Sequence, residues 1–140
     1  MRGPTLVDAG PLVAFLARRD EHHEWAIAQF RLLPPPFRTC EAVLAEASFL
    51  LRGVADGPTK LLQLLEQGAV AVAFQLQEEV RAVKALMRRY ENVPMSLADA
   101  CLVRMAELHA RATVFTVDGD FRVYRKNGRQ VIPTLMPAGR

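Results

Sequence analysis

The sequence has few cysteines, few aromatic residues and no long apolar run. Its two cysteines, Cys40 and Cys101, are too few to form the disulfide framework of a small secreted domain, and we expect both to be buried and reduced. No Cys/His spacing suggests structural zinc. No apolar run approaches the roughly 18 residues that a membrane span requires, and residues 1–4 lack the apolar region of a signal peptide. These absences favour a cytoplasmic protein.

The charge is mildly positive and unevenly distributed. The chain of 140 residues has a net charge of +3, and hydrophobic residues make up 51% of it, which is typical of one globular domain spanning residues 1–140. The C-terminal segment from residue 121 contains no acid and five bases: Arg122, Arg125, Lys126, Arg129 and Arg140. Such a segment is compatible with contact to nucleic-acid phosphates, although a solvated surface has the same composition.

Apolar runs and turn-forming residues alternate in a pattern of strands and helices. We predict strands at 5–7, 37–38, 69–74, 113–117 and 131–132, and helices at 12–17, 24–33, 39–52, 58–67, 78–91 and 96–111. Residues 9–11 and 118–120 are predicted turns, and Thr39 is the predicted N-cap of its helix. The alternation favours an α/β layered fold with a mainly parallel sheet.

Two aspartates directly follow predicted strands. Asp8 ends the strand at 5–7, and Asp118 ends the strand at 113–117. In parallel sheets, functional side chains gather beyond the carboxyl ends of the strands, so these two carboxylates are candidates for a common site. Either aspartate alone also has an ordinary structural interpretation, because aspartate at a strand end often caps the next helix.

A glutamate lies beside apolar side chains on the third predicted helix. Glu46 is three residues after Val43 and four before Leu50, so it borders the apolar stripe, whereas Glu41 lies on the opposite face. A carboxylate at the edge of a buried stripe must be paired, protonated or metal-bound, because burying an uncompensated charge is costly. Pairing with an arginine is the simplest structural alternative.

The fourth acid, Asp99, lies near the start of the last predicted helix. The polar face of that helix contains Arg104, Glu107 and Arg111, and Asp99 lies away from it. Asp99 also stands three residues after Ser96, which is the spacing of a capping box. Helix capping and metal binding are therefore both open interpretations of Asp99.

Together the four acids predict a site made only of oxygen ligands. Carboxylates without histidine or cysteine suit Mg²⁺ or Mn²⁺ better than zinc. Without a cation, closely spaced carboxylates would repel each other and some would take up protons. Divalent ions at such a site activate water and stabilise the leaving oxygen of a phosphodiester. The pattern therefore predicts phosphoryl chemistry on a polyanion.

Four segments resemble the motifs of PIN-domain proteins, in the same order along the chain. Residues 5–14 contain the run DAGPLVA from Asp8 onwards, and the others are VLAE at 43–46, SLADA at 96–100 and TVDGDF at 116–121. The fourth segment resembles a Thr-x-Asp-x-x-Phe pattern. Each motif alone has low specificity, whereas four in register over nearly the whole chain are fairly specific.

This resemblance implies a three-layer α/β/α PIN-like fold with a mainly parallel five-stranded sheet and an Mg²⁺- or Mn²⁺-dependent ribonuclease activity. It implies an acidic set of Asp8, Glu46, Asp99 and Asp118, with Asp8, Asp99 and Asp118 holding metal. Thr116 is implied as the polar residue that orients the site, and Asp120 is a further candidate. Arg122, Arg125 and Lys126 are the bases nearest the fourth motif and are weaker candidates for RNA binding.

Within the family, many small proteins of this length are VapC-type toxins, and this chain is similar to that group. That similarity implies an RNA substrate, a cognate antitoxin protein whose tail blocks the site, and a homodimer. A non-catalytic PIN-like module that binds RNA or protein remains the alternative, although an intact acidic set disfavours it.

Other acidic phosphoryl-transfer enzymes fit the sequence less well. A haloacid-dehalogenase-type phosphatase would have Asp-x-Asp after the first strand, where this chain has Gly10 two residues beyond Asp8. A Toprim-type nuclease would place its glutamate on a strand, whereas Glu46 lies on a predicted helix. A receiver domain needs paired acids at the first strand and a late lysine, and neither is present. His22 and His23 have no partners at metal-ligand spacing and are predicted to lie in an exposed loop.

Overall fold

The computed structural model describes residues 3–138, so Arg140 of the basic segment lies outside the described residues. Seven short strands are present in that range. They are β1 (Thr5–Val7), β2 (Phe37–Thr39), β3 (Val70–Val72), β4 (Thr113–Phe115), β5 (Arg125–Lys126), β6 (Gln130–Val131) and β7 (Thr134–Leu135).

Five of these strands form one parallel sheet in the order β3-β2-β1-β4-β7. The strand β1 lies at its centre, where Val7 pairs with Phe115 of β4, and Leu6 pairs with Arg38 of β2. Strands β5 and β6 form a separate antiparallel hairpin. The residues that follow β1 and β4 therefore emerge side by side at the carboxyl edge of the sheet.

Helices cover both faces of the sheet, giving the α/β/α layers that we expected. Between residues 3 and 138 the α-helices are α1 (Ala9–Leu16), α2 (His23–Leu32), α3 (Glu41–Leu50), α4 (Gly57–Glu66), α5 (Leu76–Arg89) and α6 (Leu97–Leu108). None of them has the length and apolar character needed to cross a membrane.

Most of the aromatic side chains and both cysteines belong to the core, whereas Phe49 is exposed. Phe30 lies 4.5 Å from Phe37 and 5.1 Å from Phe115 between ring centroids, and Trp25 lies 5.3 Å from Phe115. Both cysteines are buried and free, as expected. Their thiols are also hydrogen-bonded to each other, a contact that the sequence separation does not indicate.

Three local predictions were wrong. Residues 9–11 are the first turn of α1, which begins directly after Asp8 and accommodates Pro11 because the first amides of a helix have no intrahelical acceptor. Thr39 does not cap α3: it ends β2, and its hydroxyl donates to the Val7 carbonyl at 2.8 Å. His23 lies in α2, not an exposed loop, and its Nδ1 bonds the Ala14 carbonyl at 2.7 Å.

The last strand of the sheet also differs from the prediction. The apolar run at 131–132 predicted that strand, but residues 130–131 pair with β5 in the hairpin, and Thr134–Leu135 adds to β4. Asn127 and Gly128 have positive φ angles of 52° and 82°, and a left-handed turn of this kind reverses the chain tightly enough to form a hairpin. The run after Pro133 is too short for its periodicity to be recognised.

Candidate metal centre

Asp8 lies at the carboxyl end of the central strand and is 5% exposed. Its Oδ1 accepts a hydrogen bond of 2.8 Å from the Ala9 amide, so the side chain caps α1. Its Oδ2 accepts a hydrogen bond of 2.7 Å from the Thr116 hydroxyl. Loss of hydration on burial raises the pKa of Asp8 from 3.8 to about 6, against the lowering effect of both hydrogen bonds; nearby carboxylates add to the rise.

Thr116 is fully buried and joins two of the acidic residues. While its hydroxyl donates to Asp8, its Oγ1 accepts a hydrogen bond of 2.9 Å from the amide of Asp118. This double contact fixes both the Asp8 carboxylate and the turn that follows β4. The close approach of α1 to that turn needs Gly10, because a Cβ atom there would collide with the side chain of Val117.

Asp99 lies at the third position of α6 and is 8% exposed. The predicted capping box is present: Ser96 Oγ accepts from the Asp99 amide at 3.0 Å, and Asp99 Oδ2 accepts from the Ser96 amide at 3.3 Å. The same Oδ2 accepts a hydrogen bond of 3.0 Å from the hydroxyl of Tyr124. Burial raises the pKa of Asp99, although the hydrogen bond from Tyr124 opposes the rise. Capping therefore occupies one oxygen of the carboxylate and does not exclude a second role.

Tyr124 was not among the residues that the sequence predicted for this site. It is fully buried, and burial together with the charge of Asp99 raises its pKa, so its hydroxyl keeps the proton that it donates. Its ring contacts Phe121 and Tyr90 in edge-on geometry. No residue spacing in the sequence indicates its contact with Asp99.

Asp118 and Asp120, the two acids of the fourth motif, occupy different positions relative to Asp8 and Asp99. Asp118 follows β4, and its Oδ1 accepts a hydrogen bond of 2.9 Å from the Asp120 amide at the start of a short 3₁₀ helix, Gly119–Arg122. Asp118 belongs to the group of ligand atoms described below, whereas Asp120 does not. Asp118, the acid at the Thr-x-Asp spacing of the fourth motif, is therefore the one that lies with Asp8 and Asp99.

Asp8, Asp99 and Asp118 each place a carboxylate oxygen within 4.8 Å of the other two. Oxygen ligands of one Mg²⁺ lie about 2.0–2.1 Å from the ion, so opposite ligands are roughly 4.2 Å apart, and two ions sharing a site lie roughly 3.5–4 Å from each other. A separation of up to 4.8 Å fits either arrangement after a shift of a few tenths of an ångström. Oδ1 of Asp99 and Oδ2 of Asp118 accept no hydrogen bond from residues 3–138 and remain available as ligands.

Glu46 lies outside this group of three. It is on the solvent-exposed side of α3, not at the edge of the buried stripe as predicted. Its pKa is nevertheless raised, first by partial loss of hydration and then by the negative charges of Asp99 and Asp118. Glu46 is therefore close enough to interact electrostatically with the group, although it does not share its ligand atoms.

No basic side chain of residues 3–138 forms an ion pair with these acids. In the described part of the chain, the ion pairs are those of Arg104 with Glu79 and Glu107 and a long contact between His22 and Glu21. None of them includes Asp8, Glu46, Asp99 or Asp118. The pairing with arginine that was the simplest alternative for Glu46 is absent from residues 3–138, and the charge of the group is suited to a divalent cation.

Of the three bases proposed to contact RNA, two are engaged in holding the local structure. The Arg125 guanidinium donates to the carbonyls of Arg122, Val123 and Tyr124 at 2.7–3.2 Å. Lys126 is buried, and its Nζ donates to the Ala110 carbonyl at 3.1 Å. Arg122 alone is exposed, and its guanidinium has no bonding partner between residues 3 and 138.

Comparisons with known proteins agree with this architecture. A family model of the PIN domain matches residues 5–127. VapC20, a sarcin-ricin loop cleaving toxin of Mycobacterium tuberculosis, has a similar crystal structure, with a TM-score of 0.73 and 23% sequence identity over 85% of this chain and 93% of that chain. At this identity the likeness concerns the fold. No curated protein matches the sequence.

Proposed function

This chain belongs to the PIN-domain family, and on that premise we propose that it is a metal-dependent endoribonuclease that hydrolyses RNA phosphodiester bonds. One observation supports the proposal above all others: three carboxylates converge within 4.8 Å at the carboxyl edge of a parallel sheet, and no base among the described residues 3–138 forms an ion pair with them. Such a group is costly for the fold unless it binds a cation. The proposal treats residues 1–140 as one PIN-like domain.

Each residue of the site has a distinct role in this proposal. Asp8, Asp99 and Asp118 hold Mg²⁺ or Mn²⁺, which when bound activates water and stabilises the leaving oxygen of the phosphodiester. Thr116 orients Asp8, and Tyr124 orients Asp99 through its hydrogen bond to Oδ2. Glu46 adds negative charge beside the three ligands, and in this proposal it contacts the metal ion through a water molecule.

The decisive experiment measures cleavage of single-stranded RNA with Mn²⁺, with Mg²⁺ and with EDTA. We expect cleavage by the wild-type protein only with a divalent ion, and a loss of about 100-fold or more in Asp8→Asn, since metal ions contribute several kcal/mol to such reactions. Asn keeps the cap on α1, so the fold is retained. Asp56→Asn, at an exposed position before α4, is the matched control and should cleave like wild type.

Failure of the wild-type protein to cut any RNA while it still binds Mn²⁺ would favour the non-catalytic alternative. Cleavage that is unaffected by Asp8→Asn would exclude this site from the reaction. Either result can be interpreted only after circular dichroism shows that the variants are folded.

The likeness to VapC20 supports a place among toxins of toxin–antitoxin pairs, acting on RNA in the cytoplasm. The partner would then be an antitoxin protein that blocks the acidic site. Expression of the chain alone should arrest growth, Asp8→Asn should relieve the arrest, and co-expression of a short protein from the adjacent gene should do the same. Growth that continues under full expression of an RNA-cleaving protein would contradict the toxin assignment.

A homodimer is also part of the proposal, and an apolar groove on α5 and α6 supports it. The groove has a volume of about 350 Å³, and Leu76, Val80 and Leu97 on its walls are 37–47% exposed. A second copy covering this groove would remove those side chains from water. Val80→Glu should therefore convert a dimer into a monomer in light scattering, whereas Leu62→Glu, at an exposed leucine of α4, should not. A monomeric wild-type protein at micromolar concentration would contradict the dimer.

A further inference from the structure

A second cavity lies next to the acidic group, on the other side of the turn that contains Asp118. Its volume is about 320 Å³, close to the lower end of the roughly 300–1,000 Å³ typical of ligand sites. The two residues flanking Asp118 line it, together with His22, Arg122 and residues 136–138. The carboxylate group and the cavity are therefore separated by one backbone turn.

The topology explains why these elements meet. Residues 117–122 follow β4, and residues 136–138 follow β7, which is parallel to β4 and adjacent to it. Both segments emerge at the carboxyl edge of the sheet, as Asp8 does. His22 precedes α2 and closes the cavity from the third side.

The lining of the cavity is mainly polar and suits a nucleotide. Arg122 lines the cavity, it is exposed, and its guanidinium has no bonding partner within residues 3–138. A guanidinium binds phosphate oxygens in pairs. His22 lines the cavity and is half-buried, and its ring lies 6.4 Å from that of Trp25 in edge-on geometry. Histidine rings and arginine guanidinium planes are the groups on which unpaired RNA bases stack.

Glu21 also lines the cavity. Its Oε2 lies 3.9 Å from His22 Nε2.

We propose that this cavity is a nucleotide subsite that holds the RNA residue next to the cleaved bond, with Arg122 on its phosphate and His22 against its base. The inference rests on the proposed ribonuclease function, because it assumes that an RNA strand crosses the acidic group. It assigns to His22 a role that its sequence context does not suggest. It also explains why Arg122 remains unpaired while Arg125 and Lys126 are bound to backbone carbonyls.

The test separates binding from cleavage. The probe is a fluorescein-labelled single-stranded RNA of ten nucleotides and mixed sequence. Its affinity is measured by anisotropy in the Asp8→Asn background, where we expect cleavage to be at least about 100-fold slower, so that the probe stays intact during the measurement. We expect Arg122→Ala to weaken binding about tenfold and to reduce the slope of log K against log salt concentration by about 0.7, the value for one phosphate contact on a single strand. His22→Ala should weaken binding as well, and His22→Phe, which keeps an aromatic surface, should restore most of the affinity.

Arg129→Ala is the matched control, because Arg129 is an exposed base of the same segment outside the cavity. Equal effects of Arg122→Ala and Arg129→Ala, or no effect of either, would overturn the subsite even if the wild-type protein cleaves RNA. Binding that depends on Arg122 and His22 without any cleavage by the wild type would support the subsite and refute the ribonuclease. An RNA that neither binds nor is cut would refute both.

Discussion

The hydroxyl of Thr116 donates a 2.7 Å hydrogen bond to Oδ2 of Asp8 across a separation of 108 residues. The register of the sheet produces this contact, because Val7 pairs with Phe115 and the next residue of each strand emerges at the same edge. Since Thr116 Oγ1 also accepts from the Asp118 amide, one hydroxyl sets the relative positions of two candidate ligands.

Thr116→Val should impair the site without removing a carboxylate. Valine has nearly the same shape, but it leaves the Asp118 amide without its acceptor and removes a hydrogen bond that lowers the pKa of Asp8. We expect metal affinity and RNA cleavage to fall about 10- to 100-fold, as for other residues that orient metal ligands. Thr116→Ser keeps the hydroxyl and should remain close to wild type in calorimetric Mn²⁺ titration; equal affinities in the two variants would contradict this role.

Tyr124→Phe should shift the pH dependence of metal binding. The Tyr124 hydroxyl donates to Asp99 and lowers its pKa, so its removal raises that pKa, and a higher pH is then needed to ionise the ligand. The midpoint of Mn²⁺ binding against pH should move upwards. Tyr90→Phe is the matched control. The Tyr90 hydroxyl accepts a hydrogen bond of 2.9 Å from the Arg125 amide, and it does not donate to Asp99 as Tyr124 does. An identical shift in both variants would indicate general destabilisation.

Glu46→Gln tests whether the exposed acid of α3 acts on the site through its charge. Its negative charge attracts a cation and interacts with Asp99 and Asp118, so its loss should reduce RNA cleavage about tenfold, less than Asp8→Asn does. Glu41→Gln removes the same charge from an exposed position of the same helix. We expect Glu46→Gln to cleave RNA more slowly than Glu41→Gln. Identical rates would show that Glu46 does not act on the site.

The sequence predicted four of the five strands of the sheet, and it predicted that Asp8 and Asp118 follow two of them, because these features depend on patterns that are local and strong. Thr5–Val7 and Thr113–Phe115 are apolar, β-branched runs that end at polar residues, and parallel strands of this kind place their following residues at one edge. The capping box at Ser96 was predicted for the same reason, since its two hydrogen bonds depend on a spacing of three residues.

The features that the sequence did not predict depend on tertiary contacts. The hydrogen bond from Tyr124 to Asp99 joins a turn to a helix, and no spacing encodes it. The engagement of Arg125 and Lys126 with backbone carbonyls is equally invisible in a charge count. Glu46 was placed correctly on its helix, but the width of the buried stripe was overestimated by helical periodicity alone.

The stability of the metal-free protein should fall as the pH rises through the folded-state pKa of Asp8. That pKa is raised from 3.8 to about 6, so the folded state favours the protonated carboxyl, and the resulting stability is complete below about pH 4 and lost above about pH 6. A shift of about two units corresponds to about 3 kcal/mol. Asp8→Asn cannot ionise, so it should be more stable than wild type at pH 7.5, and this difference should shrink towards pH 5.

Mn²⁺ should reverse that order at pH 7.5. A ligand that binds only the folded state stabilises it by about 4.1 kcal/mol at 1,000 times its dissociation constant, which exceeds the advantage of about 3 kcal/mol that Asp8→Asn has without metal. The wild type should gain this stability while Asp8→Asn should not. Thermal melts in EDTA and in Mn²⁺ at both pH values measure the effect, and Asp56→Asn should follow the wild type throughout. If Asp8→Asn and wild type respond alike to pH and to Mn²⁺, the buried carboxylate is not ionised by metal binding, and the charge of the group must be compensated in another way.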